Sequence, residues 1–102
     1  METKFSKADI QKLLHHRDPY LLIDEVLEIS ETGITSIKTV NLENDFYLKG
    51  HFPNAPVVPG AMMQEMTTQS AGLLMTHFFS PIKNYDSEST KGFGTLNWSQ
   101  LF

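Results

Sequence analysis

"PGAMMQEMTTQSAGLLMTHFF", residues 59 to 79, reads as one long helix. Pro59 suits the first helical turn, where its missing N–H would have no partner anyway, and Ser80 followed by Pro81 supplies the stop. Met62, Met63, Met66, Ala71, Leu73, Leu74, Met75, Phe78 and Phe79 lie nearly all round it, with small Gly, Ala, Ser and Thr between them. A helix without a polar face asks to be covered on every side. Glu65 breaks the pattern. An ionised carboxylate among methionines on a covered helix costs several kcal/mol unless it is paired, hydrogen-bonded or protonated. Gln69, at i+4, is placed to hold it.

Immediately upstream, "GHFPNAPVVPG" at 50 to 60 carries Pro53, Pro56 and Pro59, which forbid a regular strand and dictate a stiff, extended loop that delivers His51 ahead of the helix N-terminus. Further upstream, "SKADIQKLL" at 6 to 14 predicts a short helix, with Ser6 as N-cap, Asp9 in the capping-box position, and Ile10, Leu13 and Leu14 at helical spacing. Pro19 in "HHRDPY" turns the chain. "YLLIDEVLEIS" at 20 to 30 and "ITSIKTVNL" at 34 to 42 predict two strands joined at Gly33 into a hairpin. The tail from Pro81 is polar and then ends in a short apolar stretch that suits the start of another strand.

The 102 residues, with a net charge of −4 and 40% apolar content, predict one soluble globular domain over 1–102. At this length only about two thirds of the unfolded surface can be buried, so a partner chain would help. With no cysteine, disulfides, thiolate metal sites and cysteine nucleophiles are excluded, and a cytoplasmic setting is expected. Eight scattered basic residues argue against nucleic acid, and no run approaches a membrane span. The four histidines, His15, His16, His51 and His77, show no metal-ligand spacing, so neither a metal nor a cofactor is expected.

Three elements fall within 15 residues. His51 carries an imidazole, a side chain suited to proton transfer; Glu65 is the misplaced carboxylate; the free amides near Gly60 and Ala61 suit a developing oxyanion. Together they match proton abstraction beside a carbonyl coupled to loss or addition of a β-substituent. His15, His16 and His77 are read as structural or solvated, with no chemistry.

The segments "HHRDPYLLIDEVLEI" and "FYLKGHFPNAPVVPGAMMQEMTTQSAGLL" resemble the 3-hydroxyacyl-(acyl carrier protein) dehydratases of the FabZ type in bacterial fatty acid biosynthesis, over about residues 10 to 75. The resemblance implies an α+β hot dog fold, a long central helix wrapped by a curved antiparallel sheet. It puts His51 in the place of the catalytic histidine, Glu65 in that of the catalytic carboxylate and Gly60 in that of the amide that polarises the thioester carbonyl. Gln69 supports Glu65. Isomerising FabA-type relatives carry Asp at the position of Glu65, so the plain dehydratase is implied. Also implied are a homodimer or trimer of dimers, with each site pairing the histidine of one subunit with the carboxylate of its neighbour, and an acyl carrier protein as partner. Arg17, Lys49, Lys83 and Lys91 are the candidates for meeting that acidic carrier. The family pattern continues well past the central helix, so the fold is expected to be truncated after it. Two rival readings share the wrapping: a non-catalytic acyl-binding or assembly module, and a dehydratase of polyketide or aryl-polyene synthesis.

Overall fold

The computed structural model of the chain describes residues 4–80 together with 86 and 87. Four elements follow in order: α1 (Lys7–Leu13), β1 (Glu25–Ser30), β2 (Gly33–Ile37) and α2 (Gly60–Phe79). The class is α+β, with a two-stranded antiparallel sheet and one long helix. The apolar tail beyond residue 90, expected to begin a strand, lies outside the described residues.

Both helices begin where their sequences require. Ser6 caps α1 in a full capping box: Asp9 N–H donates to Ser6 Oγ at 3.4 Å, and Ser6 N–H donates to Asp9 Oδ2 at 3.0 Å. These bonds hold the Asp9 carboxyl below the usual carboxylate range, its backbone bond from Ser6 contributing most. Pro59 takes the N-cap position of α2, and Ser80 the C-cap.

The strands are shorter than the hydrophobic pattern suggests, because other partners claim the flanking backbone. Leu22 N–H donates to the side chain of Gln69 at 2.8 Å, and the carbonyl of Tyr20 accepts from the same side chain at 2.9 Å. At the far end of the hairpin, Thr39 N–H goes to Asp24 Oδ2 at 2.6 Å and Asn41 N–H to Asp45 Oδ2, so the chain leaves β2 after Ile37. Within the hairpin Glu25 faces Ile37 and Ser30 faces Gly33, with a register shift between Val26 and Glu28.

The period-two pattern of residues 21–23 survives outside the strand. Leu21 and Ile23 join Ile10, Leu14, Val26 and Leu73 in one core cluster, whereas Leu22 joins Tyr47 and Leu48 in a second, flanked by Val58, Met62 and Met66. Leu73 is 0% exposed and is the residue through which α2 enters the first cluster. Leu73→Ala is therefore expected to lower stability by about 2–5 kcal/mol, read as a fall in the denaturant midpoint. The phenolic oxygen of Tyr47 is buried with no hydrogen-bond partner among the described residues, and burial raises its pKa. Tyr47→Phe removes a desolvated hydroxyl at nearly constant shape and is expected to be neutral or stabilising by up to about 1 kcal/mol, read from Tm.

Among the described residues α2 is covered on one face only, where Gln69, Gly72 and Leu73 are buried, while Met63 at 55% and Phe79 at 50% stay exposed. Two strands of six and five residues span too little width to enclose a helix of 20 residues. Met63, Met75, Phe78 and Phe79 are apolar and stay exposed among the described residues, although the ring of His77 packs edge-on against Phe78 at 4.6 Å.

Candidate active site

The loop before α2 fixes both the position and the tautomer of His51. Its amide donates to Leu48 O at 3.1 Å, and its carbonyl accepts Val57 N–H at 2.7 Å, which closes the proline-rich loop on itself. Its ring Nδ1 lies 3.0 Å from the carbonyl oxygen of Val57. A carbonyl oxygen can only accept, so in the neutral ring the proton sits on Nδ1 and the lone pair on Nε2. Phe52 stacks on the ring at 4.5 Å between centroids, and the peptide joining the two residues is cis. His51 thus presents a half-buried imidazole whose Nε2 is available as a base.

The N-terminus of α2 is equally open. Pro59 has no side chain able to cap, its carbonyl takes the N–H groups of Met62 at 2.9 Å and Met63 at 3.2 Å, and the first turn contains no acidic residue. That leaves the amides of Gly60 and Ala61 without a partner among the described residues. A side chain at Gly60 would meet no atom within 4 Å, so an acyl carbonyl has room to approach the amide.

Glu65 stands on the partly covered side of α2, its side chain 25% exposed. Gln69 Nε2 donates to Glu65 Oε2 at 3.0 Å, and the rest of the amide is spent on the backbone of Tyr20 and Leu22. The i+4 support expected from the sequence is present. Gln69 also ties α2 to the chain ahead of β1, so the same side chain holds the fold and the carboxylate.

His51 and Glu65 share no hydrogen bond or ion pair within one chain; the partners of His51 are Leu48, Phe52 and Val57, and those of Glu65 are Gln69 and His16. The approach of His16 is the element that sequence reading misses. Its Nε2 lies 3.7 Å from Glu65 Oε2, although 49 positions separate the residues. Nothing periodic announces this contact, since "HHRDPY" is a turn and only the packing of α1 against α2 brings it there. The other two histidines keep their structural reading: His77 packs edge-on against Phe5 at 5.1 Å, and His15 is exposed.

Arg17 does not face outward toward a carrier. Its guanidinium donates to the carbonyls of Leu14 at 2.9 Å, His16 at 2.7 Å and Gln11 at 3.1 Å, and to Ser87 Oγ at 3.2 Å, closing the C-terminal end of α1. Lys49 is exposed, and Lys83 and Lys91 lie outside the described residues. Among the described residues no group of three or more His, Asp and Glu is placed to hold a metal ion, and no helix is long and apolar enough to cross a membrane.

A long helix laid on an antiparallel sheet, with a histidine loop at its open N-terminus and a carboxylate on its flank, is consistent with part of a hot dog domain. The chain belongs to the family described as FabA-like domain, whose model matches residues 14–93. Curated relatives carry the name 3-hydroxyacyl-(acyl-carrier-protein) dehydratase FabZ. The protein of that name from Lactococcus lactis subsp. cremoris (strain MG1363) is 42% identical over 73 residues, which is 72% of this chain and 50% of the relative. That from Petrotoga mobilis is 46% identical over 67 residues, 66% of this chain and 48% of the relative. That from Streptococcus thermophilus (strain ATCC BAA-491 / LMD-9) is 49% identical over 65 residues, 64% of this chain and 45% of the relative. The chain spans about half the length of the curated relatives it matches.

Proposed function

We propose that this chain, a single hot dog domain acting in the cytoplasm, dehydrates (3R)-3-hydroxyacyl thioesters carried by acyl carrier protein to trans-2-enoyl thioesters, in bacterial fatty acid biosynthesis. The observation that carries the reading is the hydrogen bond between His51 Nδ1 and the Val57 carbonyl, 3.0 Å long, which leaves Nε2 as a free base beside an uncapped helix N-terminus.

In the proposed reaction His51 Nε2 removes a proton from C2 while the thioester oxygen accepts a hydrogen bond from the Gly60 amide. Negative charge develops on that oxygen, where one pre-oriented amide contributes roughly 3 kcal/mol to the transition state. Glu65 delivers a proton to the 3-hydroxyl, directly or through a water. The C3–O bond breaks, the C2–C3 double bond forms, and water departs. At that point the ring of His51 is protonated and Glu65 is ionised, and a proton returned from the first to the second restores the site. Since His51 and Glu65 do not meet within one chain, we place each site between two copies, with the histidine of one protomer facing the carboxylate of its partner.

The reverse reaction is the convenient test: hydration of an enoyl thioester, followed as loss of enoyl absorbance. Hydration by the wild-type chain, lowered by about two to three orders of magnitude in both His51→Ala and Glu65→Gln, is the expected result. Activity near wild type in either variant overturns the assignment of these residues. Release of free thiol instead of hydration would redirect the reading to a thioesterase, and binding of an acyl thioester without turnover would favour a non-catalytic acyl-binding module.

A further inference from the structure

The two oxygens of the Glu65 carboxyl live in different surroundings. Oε2 accepts from Gln69 Nε2 at 3.0 Å and lies 3.7 Å from His16 Nε2, whereas Oε1 has no partner among the described residues. Gln69 cannot turn over to change this. Its own Oε1 accepts Leu22 N–H at 2.8 Å, both hydrogens of Nε2 are committed to Tyr20 O and Glu65, and the residue is 1% exposed. A flipped amide would set donor against donor and acceptor against acceptor in a buried place. Oε2 therefore stays an acceptor, and a proton carried by Glu65 belongs on Oε1.

His16 is the group whose charge can alter that arrangement. Its carbonyl is pinned by Arg17 at 2.7 Å, its ring lies parallel to Tyr20 at 6.5 Å, and its side chain is 19% exposed. Burial holds the imidazole below the ordinary histidine range; the carboxylate of Glu65 pulls it back up, and the charges of His15 and Arg17 push it further down. Among the described residues those three are the charged groups that act on it, Glu65 from α2 and His15 and Arg17 from its own turn.

We propose that His16 is a positioning residue for Glu65: as a neutral imidazole packed 3.7 Å from Oε2 it leaves the carboxyl to its hydrogen bond from Gln69 and leaves Oε1 to carry the transferable proton. As an imidazolium it holds Glu65 in the carboxylate form and turns the acid off. The inference rests on the reading of Glu65 as the acid of the proposed reaction. Neutrality of His16 near pH 7 is then a requirement of the chemistry, and burial of the turn beside α2 provides it.

Two measurements test the proposal on the assembled protein. In an NMR titration of the histidine ring protons, His16 is expected to titrate below an ordinary histidine and to move lower still in Glu65→Gln, because the attraction of the carboxylate is lost. A midpoint that does not respond to Glu65→Gln overturns the coupling, whatever the activity. In the hydration assay His16→Lys, a fixed cation, is expected to lower kcat about tenfold or more with little change in KM. His16→Gln, which keeps a neutral polar group toward Oε2, is expected to recover most of the kcat lost in His16→Leu. Full activity of a folded His16→Lys also overturns the role. The two readings fail separately: hydration that survives Glu65→Gln sinks the acid assignment itself, whereas an inactive Glu65→Gln beside a fully active His16→Lys sinks only the positioning role.

Discussion

His51→Ala is expected to lower kcat/KM for enoyl-thioester hydration by about three orders of magnitude, which corresponds to about 4 kcal/mol of transition-state stabilisation. The loss should be large because the substitution removes an imidazole whose tautomer is set by a backbone carbonyl, at 3.0 Å from Val57. It should not be total, since the amide of Gly60 still offers its hydrogen bond to the thioester oxygen. Folding should survive: the backbone pair between His51 and Val57, with the amide donating at 2.7 Å, closes the loop independently of the ring. An unchanged circular dichroism spectrum beside the kinetic loss separates lost chemistry from lost structure. Activity within a few-fold of wild type would show that another group takes the C2 proton.

Glu65→Gln is expected to lower kcat by about two to three orders of magnitude while KM changes little, because the substitution removes a proton donor and hardly alters shape. The geometry supports an unusually clean comparison. A glutamine at position 65 can offer its carbonyl oxygen to Gln69 Nε2, in place of Oε2 at 3.0 Å, and so keep the link that joins α2 to residues 20 and 22. By contrast, Gln69→Leu would strand Leu22 N–H and the Tyr20 carbonyl in a buried place and is a stability variant before it is a kinetic one. Single-turnover kinetics on Glu65→Gln reports the chemical step directly, and an unaltered rate there would exclude Glu65 from proton transfer.

Much of this architecture is legible in the chain. Ser6 and Asp9 announce the capping box of α1, and Pro59 and Ser80 bracket α2, because caps and prolines act through the backbone within one or two turns. The relation of Gln69 to Glu65 is likewise local, one helical turn. The strand ends are not legible: the apolar run from Tyr20 to Ile23 looks like strand, yet its backbone is taken by the side chain of a residue 47 positions from Leu22. Carboxylates of Asp24 and Asp45 end β2 in the same way, and alternation of apolar residues carries no record of such partners. The side of α2 that is covered is also hidden, because residues apolar nearly all round name no preferred face.

Local chemistry therefore determined where each helix starts, that the loop ahead of α2 is stiffened by Pro53, Pro56 and Pro59, and that Glu65 needs a partner within reach. Tertiary structure alone decided what that partner is and how the base is set. Val57, six positions from His51, folds back to fix its tautomer, and the turn after α1 lays His16 against Glu65 at 3.7 Å. The physical reason is the reach of the interactions. Caps and helical spacings act between neighbours in the chain, whereas a hydrogen bond or an ion pair acts only over a few ångströms of space, and packing of Ile10, Leu14, Leu21 and Leu73 in one core is what brings such distant groups to that range.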